Sequence, residues 1–275
     1  MNYKTAIALC TVIYSFVCCD DDYPTQLEFK PLKKSTITVQ QVDTTNNSNN
    51  EKISTNISNL ITNKNVVDKL TQYGKEHKES IVEISTKYGK IRLRLYEETP
   101  LHRANFIMLV KKGFFKNTLF YRVIRNFMIQ GGNSDRDNVF HKMAKIGSYR
   151  VPSEINEKYV HKRGALSMAV QEQYFKDPKR FNKNSSPYNF FIVQKGKISD
   201  DYMNRLEEIY SIKIDESKRK IYRKHGGNPH LDGDYTVFGE VISGMNVVDK
   251  INTVLTDAQD RPLENIKLDI SIIEE

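Results

Sequence analysis

A series of short β-prone segments, separated by turns, constrains the fold of this chain more than any other feature. The first two occupy residues 81–95 and are joined at Tyr88-Gly89, and apolar and basic residues alternate in the second of them with a period of two. Later segments of the same character lie at residues 119–124, 127–130, 165–170, 190–193, 236–240 and 266–273. Short strands at this spacing predict a domain that is mainly β.

Two helices interrupt this series. Thr99 and Pro100 form a helix start, a capping residue followed by proline at the first helical position, and Gly113 ends that helix. A second helix is predicted at residues 245–251. Many short strands with two helices predict a closed antiparallel barrel whose ends the helices cover.

Residues 1–19 have the pattern of a secretory signal peptide: one Lys, a short apolar segment and an abrupt change to acidic residues. The apolar run is too short to span a bilayer comfortably. A cysteine at this change resembles the lipidation site of bacterial lipoproteins, with Cys18 or Cys19 as the acceptor. The alternative is an ordinary cleaved signal with incidental cysteines. We expect an exported protein of the bacterial cell envelope, held by a lipid anchor and facing the periplasm or the cell surface.

Residues 20–78 are polar and include a stretch of low complexity at residues 44–50. Such a segment cannot bury enough apolar surface to offset the entropy lost on ordering, so we interpret it as a flexible tether. A short helix at residues 57–73 is an alternative for part of it, because apolar residues recur there at roughly helical spacing. The folded domain is then expected at residues 79–275.

Charge and cysteine content exclude several classes of function. The net charge of +8 is spread along the chain, and no basic run is interleaved with stacking aromatics, so we expect no nucleic-acid partner. All three cysteines precede residue 20, so the predicted domain has no disulfide and no Cys-based metal site. No metal site is predicted.

Arg122 is an unusual residue, because its permanent charge lies within an apolar, β-prone run. The simplest interpretation is an outward-facing arginine on a half-exposed strand. The run ends at Gly131-Gly132, where glycines allow the backbone to turn tightly. Neither feature alone identifies a site.

Four blocks together resemble one family, the cyclophilin-type peptidyl-prolyl cis-trans isomerases. They occur in the family's order at residues 120–133 (FYRVIRNFMIQGGN), 164–169 (GALSMA), 189–192 (NFFI) and 231–239 (LDGDYTVFG). The resemblance extends over residues 79–275. It implies a closed eight-stranded antiparallel β-barrel capped by two α-helices, with a proline pocket on its outer surface and no cofactor.

The resemblance also implies roles for individual residues. Arg122 is the expected catalytic residue. The substrate-binding residues expected from the matching positions are Phe127, Met128, Gln130, Ala169, Asn189, Phe191, His230, Leu231 and Tyr235. Isolated apolar residues in strands are more often barrel core, but their place within these blocks favours the pocket.

Elementary chemistry supports such a role for Arg122. Rotation about an X-Pro amide meets a barrier of about 18–20 kcal/mol, because resonance gives the C–N bond double-bond character. A guanidinium that donates to the proline nitrogen, or polarises the adjoining carbonyl, stabilises the twisted amide more than the planar one. Arginine suits this task because it stays charged and its donors are fixed in a plane.

Departures from the family pattern leave a second function open. Asn189 replaces a longer Gln, Val170 replaces an Asn, and His230 replaces a frequent Trp. We therefore expect an isomerase that acts on proline-containing peptides and on folding envelope proteins, with a proline-peptide-binding chaperone or scaffold of little turnover as the alternative.

Two segments are longer than in minimal members of the family. Residues 171–186 are basic with aromatics and lie between two pocket blocks. Residues 195–229 are predicted to form a small helical insertion of two helices, one capped by Ser199 or Asp200 and the other by Asp215. We expect this insertion to pack on the barrel.

Overall fold

The computed structural model describes residues 60–133, 137–170 and 182–273. The predicted signal peptide at residues 1–19, its cysteines Cys18 and Cys19, and the tether up to residue 59 lie outside these ranges. So does most of the segment at residues 171–186.

Ten strands and six helices make up the described part of the chain. The strands are β1 (Ile61–Thr62), β2 (Ile81–Thr86), β3 (Gly89–Leu95), β4 (Thr118–Ile124), β5 (Met128–Asn133), β6 (Gly147–Ser148), β7 (Ala165–Val170), β8 (Ser185–Val193), β9 (Val237–Ser243) and β10 (Ile266–Ile272). The helices are α1 (Val66–Glu76), α2 (Pro100–Lys111), α3 (Asp137–Ile146), α4 (Asp200–Tyr210), α5 (Glu216–His225) and α6 (Met245–Asn252). A short 3-10 helix at Pro229–Leu231 precedes β9.

Eight strands close into a barrel in the order β10-β2-β3-β9-β7-β8-β5-β4. Antiparallel pairing of β10 with β4, from Ile266–Phe120 to Leu268–Thr118, closes the ring. Each neighbouring pair in this order is antiparallel. The prediction of a closed eight-stranded antiparallel barrel is confirmed.

Alternation along the strands places one face of each inside the barrel. On β3, Ile91, Leu93 and Leu95 are buried, whereas Arg92 and Arg94 are exposed, because successive side chains of a strand point to opposite faces. We call the large apolar cluster of the barrel the inner core. It is rich in aromatic rings such as Phe106, Phe115, Phe120, Phe190 and Phe238. This cluster holds the barrel together.

The two predicted helices, α2 and α6, supply apolar side chains to the inner core. Nine residues of α2 are buried, including Phe106 and Leu109, and α6 contributes Val248 and Ile251. A helix that is apolar on most faces and buried this fully packs against the core rather than lying on the surface.

The packed unit begins earlier than the expected boundary at residue 79. Strand β1 pairs in parallel with β6, and α1 packs against α2. Val66 and Leu70 of α1 are buried in the inner core. Residues 60–78 are therefore folded rather than a tether, because burial of these apolar side chains offsets the entropy that the segment loses on ordering.

The helical insertion at residues 195–229 forms the two predicted helices, α4 and α5. The Ser199 side chain accepts a hydrogen bond from the backbone N–H of Tyr202 at the start of α4, and the Asp215 side chain accepts one from Lys218 at the start of α5. The insertion has a small cluster of its own against the barrel, made by Val160, Ile198, Met203, Ile214 and Tyr222.

None of the helices in the described ranges combines the length and the apolar character that crossing a bilayer requires.

Candidate active site on the outer face of the barrel

Three predicted site residues lie in one row across neighbouring strands. Arg122 on β4 is the register partner of Gln130 on β5, and Gln130 is the partner of Phe191 on β8. Residues paired in this way across strands have their side chains on the same face of the sheet. The next row, Val123, Ile129 and Ile192, belongs to the inner core. Arg122, Gln130 and Phe191 therefore face outward.

A second apolar cluster lies on this outer face, and we call it the outer pocket cluster. Its buried members are Met128, Ala165, Phe191, Val193, Leu231 and Val237, and its partly buried members are Tyr96, Ile124, Phe127, Tyr159, Ala169 and Tyr235. Six predicted substrate-binding residues are thus brought together, from four separate blocks of sequence. The cluster is separate from the inner core, so these residues are not barrel interior.

Arg122 is held at the edge of the outer pocket cluster by an acidic loop residue. Its Nε donates to Asp260 Oδ2 at 3.2 Å, and the Asp260 carbonyl accepts a hydrogen bond from the Val123 N–H at 2.8 Å. Asp260 has a φ of 63°, a left-handed conformation that is uncommon for residues other than glycine. The loop is therefore tied to β4 beside Arg122, and its carboxylate orients the guanidinium.

Phe127 is positioned by the turn between β4 and β5. Asn252, which is almost fully buried at the end of α6, donates to the carbonyls of Ile124 and Met128 and accepts from the Asn126 N–H. These three bonds fix a turn in which Asn126 has a φ of 58°. The amide of one side chain thus holds both ends of the turn that presents Phe127.

Behind Phe191 lies a buried polar network. The ring of His161 stacks on Phe191 with 6.1 Å between centroids, and Tyr235 meets Phe191 edge-on at 5.8 Å. His161 Nδ1 lies 2.8 Å from Asp232 Oδ1, and the Tyr222 hydroxyl of α5 donates to Asp232 Oδ2 at 2.6 Å. The helical insertion is therefore connected to the outer pocket cluster through Asp232.

His230 lies within a stack of three rings. It is parallel to Phe127 at 5.7 Å and to Tyr210 of α4 at 4.7 Å between centroids. Burial lowers the pKa of His230 to about 4, so the ring is neutral at pH 7. This neutral ring joins the insertion to the outer pocket cluster.

Asn189 is a polar residue on the same face of the barrel as Phe191. It lies on β8 two positions before Phe191, so it shares the outer face. Its Oδ1 is buried and has no hydrogen-bond partner among the described residues, which leaves an acceptor beside the site.

Several contributors to the site were missed by sequence reasoning: His161, Tyr210, Tyr222, Asn252 and Asp260. Asp260 precedes the last strand without a recognisable spacing, and Tyr210 and Tyr222 come from an insertion interpreted as peripheral. Only Asp232 carried a signal, because it lies within the block at residues 231–239.

Among the described residues, no group of three or more His, Cys, Asp or Glu side chains is close enough to hold a metal ion. The chemistry available at this face is that of a guanidinium, side-chain amides and an apolar pocket.

This chain belongs to the cyclophilin-type peptidyl-prolyl cis-trans isomerase family, which it matches over residues 81–271. The matched range contains the barrel except the last residue of β10, together with Arg122 and all the predicted substrate-binding residues.

Relatives of known name agree with this assignment. A putative bifunctional phosphatase/peptidyl-prolyl cis-trans isomerase of Streptococcus pyogenes is 32% identical over 208 residues, which are 73% of this chain and 41% of that protein. A putative peptidyl-prolyl cis-trans isomerase of Staphylococcus saprophyticus is 30% identical over 197 residues, or 69% of this chain and 89% of that protein. The chain thus spans less than half the length of the Streptococcus relative.

Among solved structures, a cyclophilin-type isomerase of Cryptosporidium parvum, crystallised in the presence of the dipeptide Ala-Pro, matches with a TM-score of 0.49 and 25% identity. The match covers 71% of this chain and 99% of that one.

Proposed function

We propose that this protein is a peptidyl-prolyl cis-trans isomerase that acts on proline-containing segments of proteins. The observation that carries the proposal is the row of Arg122, Gln130 and Phe191 across β4, β5 and β8, with an apolar pocket at its side. A proline ring is apolar and its amide is polar, so a site that binds both needs an apolar surface next to a polar donor.

The chemistry follows from the barrier to amide rotation, about 18–20 kcal/mol. Phe127, Met128, Phe191 and Leu231 hold the proline ring while the chain before it rotates. Arg122 donates to the proline amide and stabilises the twisted state, in which the nitrogen lone pair is localised. Asp260 keeps the guanidinium plane in one orientation through Nε, which reduces the reorganisation needed in the transition state.

The peptide backbone is held by the amides beside the pocket. Gln130 lies between Arg122 and Phe191 in the row and contacts the substrate backbone. Asn189 lies on the same face of β8 as Phe191 and contacts the substrate backbone through its side-chain amide.

The test is an isomerisation assay of the full chain on a proline tetrapeptide, with Arg122→Ala and Arg122→Lys. We expect Arg122→Ala to lower kcat/KM by about 100-fold, the size of effect found when one preorganised donor is removed from a transition state. Arg122→Lys should restore only part of it, because an ammonium lacks the planar donors. An unmutated chain without activity above background would refute the proposal.

A proline-peptide-binding module with little turnover is the second candidate. The observation that favours it is the ion pair itself, because a carboxylate 3.2 Å from Arg122 Nε offsets part of the charge that catalysis uses. A binder tolerates Arg122→Ala with little change in peptide Kd and shows no catalysed exchange. Two-dimensional NMR exchange spectra of a proline peptide, with and without protein, separate the two functions.

We also propose that the protein acts in the bacterial cell envelope, on exported proteins whose folding is limited by proline isomerisation. Support comes from the sequence of residues 1–19, with Cys18 or Cys19 as the lipid acceptor. Mass spectrometry of the mature N-terminus tests this proposal. A diacylated or triacylated cysteine at the N-terminus supports it, and a mature chain that retains residues 1–17 contradicts it.

A further inference from the structure

A basic cavity of about 360 Å³ lies where the helical insertion meets the turn before Phe127. Its lining includes Asn126 from the turn and Lys195, Lys197, Tyr202 and Arg205 from the insertion. We propose that this cavity is a substrate subsite for an acidic side chain close to the proline. The proposal deepens the proposed function and rests on it.

The charge of the lining carries the choice of ligand. Three cationic residues, Lys195, Lys197 and Arg205, line the cavity, and none of the Asp and Glu residues in the described ranges does. The Lys195 Nζ lies 4.5 Å from the centroid of the Tyr202 ring, and the Arg205 guanidinium carbon lies 5.9 Å from it. Tyr202 thus holds two of the three cationic side chains beside the cavity.

The carboxylate of Asp200, in the first turn of α4, is not the anion that binds in this cavity. It is engaged by Arg219 at 3.3 Å and by Arg223 at 2.8 Å. These contacts hold the pKa of Asp200 below its usual value, with Arg223 the larger cause. Its negative charge is therefore already matched on the side of the insertion that faces α5.

The cavity lies next to Phe127 in sequence, because Asn126, the residue before it, contributes to the lining. The carbonyl of Phe127 accepts hydrogen bonds from the Gln194 N–H at 2.9 Å and from Asn228 Nδ2 at 3.2 Å. Residues 194 and 228 lie at the two ends of the insertion, so both ends are tied to the residue that forms the wall. Lys195 also contributes, after burial and His161, to the low pKa of His230, which stacks on Phe127.

This arrangement favours substrates with an acidic residue near the proline. A peptide whose proline lies in the outer pocket cluster passes Phe127 and reaches the cavity within a few residues. A Glu or Asp side chain there meets three cations, a Gln meets the same surface without charge attraction, and a Lys is repelled. The subsite thus selects acidic segments around proline through electrostatics rather than shape.

The test measures kcat/KM of the full chain on proline peptides that differ at one position near the proline, where the residue is Glu, Gln or Lys. We expect Glu over Gln by about three- to tenfold at low salt, the size that one or two exposed ion pairs supply. The preference should shrink as salt is raised, because exposed charges are screened.

The variant Lys197→Glu/Arg205→Glu removes the preference while activity on the Gln peptide changes by less than about twofold. Its matched control is Lys64→Glu/Lys267→Glu, which makes the same change of net charge at exposed positions outside the cavity. A Glu preference that survives in the cavity variant overturns the subsite, and so does one that is lost equally in the control.

Peptide Kd, measured by fluorescence anisotropy on the same series, separates this proposal from the proposed function. If the chain shows no turnover but binds the Glu peptide more tightly, with the preference lost only in the cavity variant, the isomerase proposal fails and the subsite stands. If the chain turns over all three peptides with equal Kd and equal kcat/KM, the isomerase proposal stands and the subsite fails.

Discussion

The inner core and the outer pocket cluster are built from the same strands, yet they differ in what surrounds them. Phe190, on the inner face of β8, meets three other phenylalanine rings edge-on, those of Phe106, Phe115 and Phe120. Phe191, one residue later, meets His161 and Tyr235. One region is closed by apolar rings, and the other is bordered by rings that carry polar groups.

This difference teaches how one strand serves two tasks. Because alternate side chains point to opposite faces, β4, β5 and β8 contribute every second residue to packing and the others to the site. Substitutions in the inner core should therefore change stability, and those in the outer pocket cluster should change activity. Paired substitutions on the two faces test this separation.

The largest expected effect is the loss of stability on Phe190→Ala, about 3–5 kcal/mol, because a fully buried ring leaves a cavity among its neighbours. The matched variant Phe191→Ala should cost less, about 3 kcal/mol, because partly exposed residues around it can move into the space. Chemical unfolding measures both.

Activity should show the reverse order. We expect Phe191→Ala to lower kcat/KM at least about tenfold and Phe190→Ala to lower it less than about threefold in the folded fraction. Equal losses of activity in the two variants would mean that core and pocket are not separable.

The second prediction concerns pH and His230. The pKa of this ring is about 4 in the folded protein and about 6.5 when unfolded. Between these values the unfolded chain binds a proton that the folded chain does not, so stability falls as pH falls from 6.5 to 4. At pH 4.5 the free energy of unfolding is therefore about 2 kcal/mol lower than at pH 7 through this group.

His230→Phe keeps a ring in the stack and removes the titration. We measure the free energy of unfolding with denaturant at pH 7 and at pH 4.5. Between these two pH values it should fall by about 2 kcal/mol less in the variant than in the unmutated chain. His141→Gln, at an exposed position on α3, is the control and should keep the original pH dependence. If the free energy of unfolding of His230→Phe keeps the pH dependence of the unmutated chain, a group other than His230 causes the acid sensitivity.

The smallest expected effect is that of Asp260→Ala, which removes the carboxylate from Arg122. We expect kcat to fall about three- to tenfold with KM nearly unchanged, because the guanidinium must then be oriented at the moment of reaction. The melting temperature should change little, because the ion pair is half-exposed, with 29% and 40% of the two side chains accessible.

Asp260→Asn separates orientation from charge, because the amide oxygen still accepts from Nε. We expect it to restore most of the lost kcat. If Asp260→Ala instead raises kcat, the carboxylate restrains the charge of Arg122 rather than positioning it, which favours the binding function over turnover.

Much of this protein was predictable from the sequence. Alternation with a period of two and turn residues predicted the strands, the Thr99-Pro100 start predicted α2, and Ser199 and Asp215 predicted the caps of α4 and α5. These signals are local, since each depends on residues within one or two turns of the chain. The blocks that resemble the family also pointed to Arg122 and to the apolar residues of the outer pocket cluster.

The tertiary structure alone decided the surroundings of those residues. Asp260 meets Arg122 across 138 positions of sequence, and Tyr210 reaches His230 from the insertion. For residues 60–78, apolar residues at helical spacing offered a helix as the alternative to a tether, but the contacts that bury that helix were not predictable. Such contacts depend on how distant segments pack, and no local periodicity, cap or turn encodes them.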